Sequence, residues 1–142
     1  MIGYDAQSLA RVSVYNDMPE GEAGGIWMSG QGLAADDAGN LYLSTANGSV
    51  GTASDPRDQV NRSDSFLKLS TAGGNLSVAS WFTPVNWPEI ELYDADLGSA
   101  GILLIPGTSL ACSGGKIGTA YVVNRDQMGG LSNDPNSDTN IV

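Results

Sequence analysis

Two aspartates, Asp94 and Asp96, stand shortly before the apolar run 101–105, which predicts a strand. Carboxylates placed together in such a loop could bind a cation or a sugar hydroxyl, or could act as a general acid and a general base. The structural alternative is that one aspartate caps the turn at 97–98 while the other is solvated, which is the ordinary use of Asp in a turn. Both residues are candidates for a ligand-binding site, with turn capping as the alternative.

Three tryptophans are the largest aromatic side chains that could contact a ligand. Trp87 lies in a loop beside prolines and is the candidate for an exposed binding aromatic, although loops also fold aromatic side chains back over the core. Trp27 stands just before a predicted strand, and both core packing and a surface binding role are open to it. Trp81 lies within a predicted strand, and we expect it to be structural.

The segment 36–40, Asp-Asp-Ala-Gly-Asn, has the alternating oxygen groups and the glycine of a calcium loop. A calcium site takes about six to eight oxygen ligands, and no glutamate follows in register to bind the ion with both oxygens. A hairpin turn accounts for the same residues if Asp36 caps the backbone and Gly39 or Asn40 takes a positive φ. We therefore predict the turn.

Two further residues have functional and structural interpretations. Lys116 lies in Gly-Gly-Lys-Ile-Gly, which lacks the spacing of a phosphate-binding loop and is explained by a turn between strands. Cys112 stands between apolar residues on a predicted strand, so we expect a small buried hydrophobic side chain rather than a reactive thiol.

The composition excludes most familiar catalytic groups. The sequence has no histidine and one cysteine, which rules out Ser-His and Cys-His nucleophile pairs, imidazole metal sites and zinc sites built on cysteines. We therefore predict no catalytic residue and no metal ligand.

The charge of the chain restricts its partners. Six basic and 16 acidic residues give a formal net charge of −10, which repels nucleic acids and anionic membrane surfaces. The apolar runs are far shorter than the ~20 residues that a membrane-spanning helix needs, so no membrane insertion is expected. Residues 1–5 have neither the basic region nor the apolar core of a signal peptide.

The chain of 142 residues, with 19 glycines and six prolines, is expected to form one all-β domain of short strands and turns. Alternating apolar residues between turn signals predict strands at 2–5, 10–15, 32–35, 41–45, 65–69, 76–82, 101–105, 110–112, 118–124 and 140–142.

Three segments lie outside those strands. By composition, 49–64 is a polar surface loop. In the loop 83–97, Pro88 favours a single helical turn. The tail 128–139 has almost nothing to bury, and we expect it to be flexible.

The order of several motifs resembles the repeats of PQQ-like (pyrroloquinoline-quinone) β-propellers. These motifs are Gly25-Ile-Trp27 leading into Gly30-x-Gly32, the segment 36–48, Asp64-Ser-Phe-Leu-Lys-Leu69, Asp94-Ala-Asp96-Leu-Gly98 and Val122-Val-Asn-Arg125-Asp126-x-Met128-Gly. The resemblance covers about residues 4–130. It implies antiparallel propeller blades in an incomplete propeller, with an outer half-blade at 1–15, a complete blade at 25–82 and a partial blade at 94–142 that carries the flexible tail 129–139.

The resemblance also carries functional expectations. Quinoprotein enzymes of this fold bind the quinone near two adjacent cysteines and a calcium ion, and this chain has one cysteine, so no cofactor is expected. The resemblance implies a non-catalytic scaffold or protein-interaction module of a bacterial envelope or secreted protein, periplasmic or extracellular. One alternative is a fragment of a quinoprotein-type enzyme whose active site lies in other blades, and another is a carbohydrate or cation binder that uses Asp94, Asp96 and Trp87.

The expected partner is a second copy of the chain. An unclosed propeller leaves strand edges and apolar blade faces uncovered, and such edges are templates for pairing. We therefore expect a homo-oligomer formed through blade edges, with another protein as the alternative partner.

Overall fold

Short strands joined by turns form most of the regular structure. A computed structural model describes residues 1–58, 60–139 and 141–142. In these residues the strands and the α-helix are β1 (Ile2–Tyr4), β2 (Arg11–Val14), β3 (Ala34–Ala35), β4 (Leu41–Ser44), β5 (Phe66–Ser70), β6 (Ser77–Thr83), α1 (Trp87–Leu92), β7 (Leu103–Leu104), β8 (Leu110–Gly114), β9 (Ala120–Asn124) and β10 (Gly130–Leu131). The all-β class is confirmed, and no described helix is long and apolar enough to cross a bilayer. The helical turn predicted from Pro88 is confirmed, and α1 begins one residue earlier.

The strands form three sheets. The first is the β1–β2 hairpin, the second has five strands in the order β10-β6-β5-β4-β3, and the third has three strands in the order β7-β8-β9. Neighbouring strands are antiparallel, except that β10 runs parallel to β6. Beyond β9, Ile141 forms an antiparallel bridge with Val123. This agrees with the strand expected near the end of the chain, of which Asn140 lies outside the described residues.

The five-stranded sheet is buried on both faces. On one face Phe66 and Phe82 pack against Tyr121 of β9, with ring centroids 5.7 Å apart for the two phenylalanines and for Phe82 and Tyr121. On the other face Leu43, Leu67 and Leu69 form a second core cluster with Tyr15 and Met28. Successive residues of a strand point to opposite faces, so the alternation in β4, β5 and β6 supplies both layers of the core.

The segment 128–139 buries more than its composition suggests. Met128 and Ser132 are buried, and the Met128 backbone N–H donates to Ser80 Oγ at 2.9 Å. Between them, β10 pairs with the edge of β6. The expectation that this segment has almost nothing to bury is therefore wrong at these positions. A strand of two residues has no periodicity from which it could be predicted.

The loop 49–64 is a surface loop only in part. Its last four residues, 61–64, are buried. The Asn61 side chain donates to the carbonyl of Gly51 at 2.7 Å and accepts the backbone N–H of Glu20 at 3.1 Å. A buried polar side chain costs little free energy when it is hydrogen-bonded, as that of Asn61 is, so its polar character alone does not predict exposure.

The aromatic contact between the two larger sheets leads to a stability prediction. We expect Phe82→Ala to lower the free energy of unfolding by about 3–5 kcal/mol, because it removes a fully buried ring and leaves a cavity. Leu92→Ala is the matched control, since Leu92 is 73% exposed and its truncation should cost less than about 0.5 kcal/mol. Urea denaturation of both variants measures the difference, and equal losses would contradict the assigned core.

Candidate functional site

Lys116 brings together three of the four residues that the sequence proposed for a ligand site. Its ammonium forms an ion pair with the carboxylate of Asp96 and lies 3.4 Å from Oδ2 of Asp94. It also donates to the backbone carbonyl of Asp94 at 3.1 Å and lies 5.9 Å from the ring centroid of Trp27. The turn predicted around Lys116 is present, with Gly118 N–H donating to the Gly115 carbonyl at 3.2 Å. The turn interpretation did not predict that the Lys116 ammonium would pair with these two carboxylates.

The two aspartates play different parts in this arrangement. The Asp96 side chain is 1% exposed, whereas that of Asp94 is 80% exposed. Asp96 precedes the 3-10 turn Leu97–Ser99, but its side chain makes no capping hydrogen bond there. The expected side-chain cap is therefore wrong for Asp96, because its carboxylate is directed to Lys116 instead. Its backbone carbonyl accepts the N–H of Ser99 at 3.0 Å.

The ion pair decides what this cluster can do chemically. The bond to the Asp96 carboxylate raises the pKa of Lys116 and keeps its ammonium charged. The ammonium occupies the place that an external cation would take between Asp94 and Asp96. A ligand cation would have to displace Lys116, and the buried Asp96 would have to lose its partner. The geometry therefore favours a structural role for this cluster.

Asp64 is a buried carboxyl group that sequence reasoning missed. Its side chain is fully buried, and its backbone has a φ of 42°. Among the described residues, no group forms a well-aligned hydrogen bond with either of its carboxylate oxygens. Burial raises its pKa to about 7, helped by the negative charges of Glu91 and Asp96 and opposed by the Leu97 backbone N–H. No periodicity marks Asp64, because it precedes β5 in a polar stretch that resembles a surface loop.

Asn47 joins the segments around these carboxylates. Its Oδ1 accepts the backbone N–H of Asp96 at 3.0 Å, and its Nδ2 donates to the carbonyls of Ile90 and Glu91, each at 3.2 Å. The adjacent Gly48 N–H donates to Glu91 Oε2 at 2.7 Å. The chain after β4 thereby holds both α1 and the 94–96 segment in place.

Trp87 lines a separate cavity, to which none of the residues around Lys116 contributes among the described residues. The indole is half-buried at the start of α1, so the prediction of an exposed binding aromatic is correct only in part. The cavity has a volume of about 540 Å³ and is also lined by Glu20, Ser49, Thr52 and Asn61. Trp87 is thus placed for ligand contact, but with other partners than the two aspartates.

The remaining aromatic and thiol candidates are divided between surface and core. Trp27 is 58% exposed, which favours its surface alternative. Trp81 packs against the second core cluster and has the guanidinium of Arg62 5.9 Å from its ring centroid, which agrees with the structural role expected. Cys112 lies on β8 and is half-buried rather than fully buried.

The segment 36–40 forms the predicted turn. Gly39 has a φ of 81°, and its N–H donates to the Asp36 carbonyl at 2.9 Å. The Asp36 carboxylate accepts hydrogen bonds from the backbone of Ala38 and Asn40, from the Asn40 amide and from the Tyr42 hydroxyl. Burial acts to raise the pKa of Asp36, but these bonds outweigh it and lower the pKa to about 2.

Comparisons with models of known protein families, with curated proteins and with solved structures find no match to this chain. Among the described residues, no group of three or more Cys, Asp and Glu side chains is placed to hold a metal ion. Function is therefore inferred from the surfaces and cavities of the chain itself.

The Lys116–Asp96 ion pair gives a double-mutant prediction. Lys116→Met should cost about 1–3 kcal/mol of stability because it leaves the buried Asp96 carboxylate without its partner. Asp96→Asn in the same chain should recover much of that loss, since the remaining group is neutral. Arg57→Met is the control, because the Arg57–Asp55 pair is exposed and contributes less than about 1 kcal/mol. Denaturant midpoints are measured for the parent chain, these three variants and Asp96→Asn alone, and additive losses from the two single variants would contradict the coupling.

Asp64 predicts a pH dependence of stability. Its folded pKa of about 7 exceeds its unfolded value of about 3.9, so the folded state binds the proton more tightly. The resulting stabilisation is complete below pH about 4, is lost as the pH rises towards 7, and changes little above that.

We expect Asp64→Asn to remove this loss, so that the variant gains stability relative to the parent chain between pH 4 and 7. The difference in the free energy of unfolding between the variant and the parent chain should increase by up to about 1.4 kcal/mol for each pH unit. The exposed Asp37→Asn controls for removing one negative charge. Unfolding measured across this pH range tests the prediction, and parallel curves for the parent chain and Asp64→Asn would show that folding does not raise the pKa of Asp64.

Proposed function

We propose that this chain is a non-catalytic segment of a PQQ-like β-propeller that serves as a scaffold and interaction module, in a bacterial envelope or secreted protein. The β1–β2 hairpin, the antiparallel strands β3–β6 and the sheet β7–β9 lie in about the sequence ranges expected for the blades, which supports this proposal. The observation that carries the interaction role is that the β1–β2 hairpin and the three-stranded sheet each have a face with exposed apolar side chains.

The β1–β2 hairpin has one such face. Ile2, Tyr4, Val12 and Val14 are between 53% and 58% exposed. Ile2 lies directly opposite Val14, so these two side chains share one face of the hairpin. The register shifts between Gly3 and Tyr4, so Tyr4 lies opposite Arg11. Isolated two-stranded hairpins are only marginally stable in water, and a partner packed on the hairpin would bury apolar side chains that are now exposed.

The three-stranded sheet has the second face. Leu103, Cys112 and Val122 lie opposite one another across its strands. Their neighbours along the strands, such as Ala111 and Val123, point inward to the core. Leu103 is 54% exposed. The row Leu103, Cys112 and Val122 is therefore an apolar face that the described residues cover only in part.

A second copy of this chain is the occupant that we propose for these faces. Within one chain, the five-stranded and three-stranded sheets already pack face to face through Phe66, Phe82 and Tyr121. Stacking the hairpin of one copy on the three-stranded sheet of the next repeats the same kind of apolar contact. Such a contact joins two different surfaces, one from each copy. Repeated contacts of this kind form a closed ring if the rotation between successive copies adds up to a full turn.

The charge of the chain gives this association a distinctive salt dependence. Each copy carries a formal net charge of −10, so two copies repel one another at low ionic strength. Salt screens this repulsion while leaving apolar contacts intact. Self-association should therefore strengthen as salt is added, whereas an interface held by ion pairs would weaken.

The prediction is tested by light scattering coupled to size exclusion, at micromolar concentration and two salt concentrations. The parent chain should have a mass well above 14.7 kDa, and more so in high salt. Val12→Thr with Val14→Thr, and separately Leu103→Lys, should each shift the chain towards the monomer because each weakens one of the two faces.

Leu92→Lys is the control, since Leu92 is exposed on α1 and belongs to neither face. It should leave the mass unchanged. A parent chain of 14.7 kDa at every concentration and salt level would refute self-association through these faces.

A further inference from the structure

The cavity beside Trp87 has the dimensions and the chemistry of a binding site. Its volume of about 540 Å³ falls within the range of small-ligand sites, about 300–1,000 Å³. A second cavity of about 240 Å³ shares Trp87 and Pro56 with the first. The indole therefore borders two cavities, neither of which belongs to the apolar sheet faces.

The wall of the larger cavity is preorganised by buried hydrogen bonds. Asn61 is 4% exposed and holds the backbone of both Glu20 and Gly51, at 3.1 Å and 2.7 Å. Ser49 Oγ accepts the backbone N–H of Glu22 at 3.2 Å. Because these bonds join three separate stretches of chain, the cavity keeps its shape without a ligand, which lowers the entropy cost of binding.

The groups along the wall identify the kind of ligand. Trp87 offers an apolar aromatic surface, Glu20 a carboxylate acceptor, and Ser49 and Thr52 hydroxyl groups. The described residues that line this cavity include no Lys or Arg. An anionic ligand would lack a counter-charge in the larger cavity and would face a chain of net charge −10. Arg57 lines the smaller cavity, but its guanidinium already pairs with Asp55 at 3.9 Å.

We infer that this cavity binds a neutral carbohydrate. A pyranose ring presents C–H groups on its faces, which pack on an indole, and hydroxyl groups at its rim, which donate to a carboxylate and to other hydroxyls. Trp87 stacks against one sugar unit, Glu20 accepts hydrogen bonds from its hydroxyls, and the smaller cavity beyond Trp87 receives the adjoining unit. Trp87 thus takes part in sugar recognition without Asp94 and Asp96.

The full chain is tested on an array of neutral and acidic oligosaccharides, followed by calorimetric titration with the neutral disaccharides maltose, cellobiose and chitobiose. We expect binding of a neutral glycan and none of the acidic ones. Trp87→Ala should weaken that binding at least about tenfold, since it removes the stacking surface. Trp27→Ala is the matched control, because Trp27 is an exposed tryptophan outside the cavity, and it should bind as the parent chain does.

Glu20→Gln gives a second measurement that does not disturb the core, because Glu20 is on the surface. It should weaken sugar binding severalfold by removing a charge-assisted hydrogen bond. The absence of any neutral ligand, a preference for acidic glycans, or unchanged affinity in both Trp87→Ala and Glu20→Gln would overturn the inference. Self-association is measured separately, so its outcome does not affect this one.

Discussion

The burial of the five-stranded sheet on both faces is the constraint on which the rest of the structure depends. A sheet with apolar residues on both of its faces needs a layer on each side. On one face Phe66 and Phe82 pack against Tyr121. On the other face Leu43 and Leu67 pack in the cluster that contains Met28. The three-stranded sheet is positioned by that requirement, since Ala111, Tyr121 and Val123 point into the core, whereas Leu103 remains exposed.

Buried polar groups then fix the ends of the strands. The chain after β4 carries Asn47, whose amide bonds both α1 and the segment that holds Asp96. Asp96 in turn is neutralised by Lys116, while Asp64 lies buried nearby with a raised pKa. Polar interactions of this kind are directional, so they define the geometry of the loops more closely than apolar packing does. The chain between β4 and β5 also forms most of the cavity beside Trp87.

Two kinds of binding surface follow from this arrangement. Apolar faces with Val12 and Val14 at one side and Leu103 at the other suit the packing of further sheets, which is non-directional and depends on area. The cavity beside Trp87 suits a small ligand with hydroxyl groups, because Asn61 holds its polar wall in place. The first surface supports the proposed scaffold role, and the second supports the proposed binding of a neutral sugar. Neither requires a catalytic group.

The sequence by itself determined the all-β class, the positions of most strands, the helical turn at Pro88 and the turn at Asp36, because each depends on alternation or on turn residues close together in the chain. Only the tertiary structure decided that Lys116 would neutralise Asp96, that Trp87 would lie apart from both aspartates, and that Asp64 would be buried. Burial of a polar residue depends on partners that are distant in sequence. A stretch of Asn, Asp and Ser therefore has the same local pattern whether its hydrogen bonds go to water or to the rest of the protein.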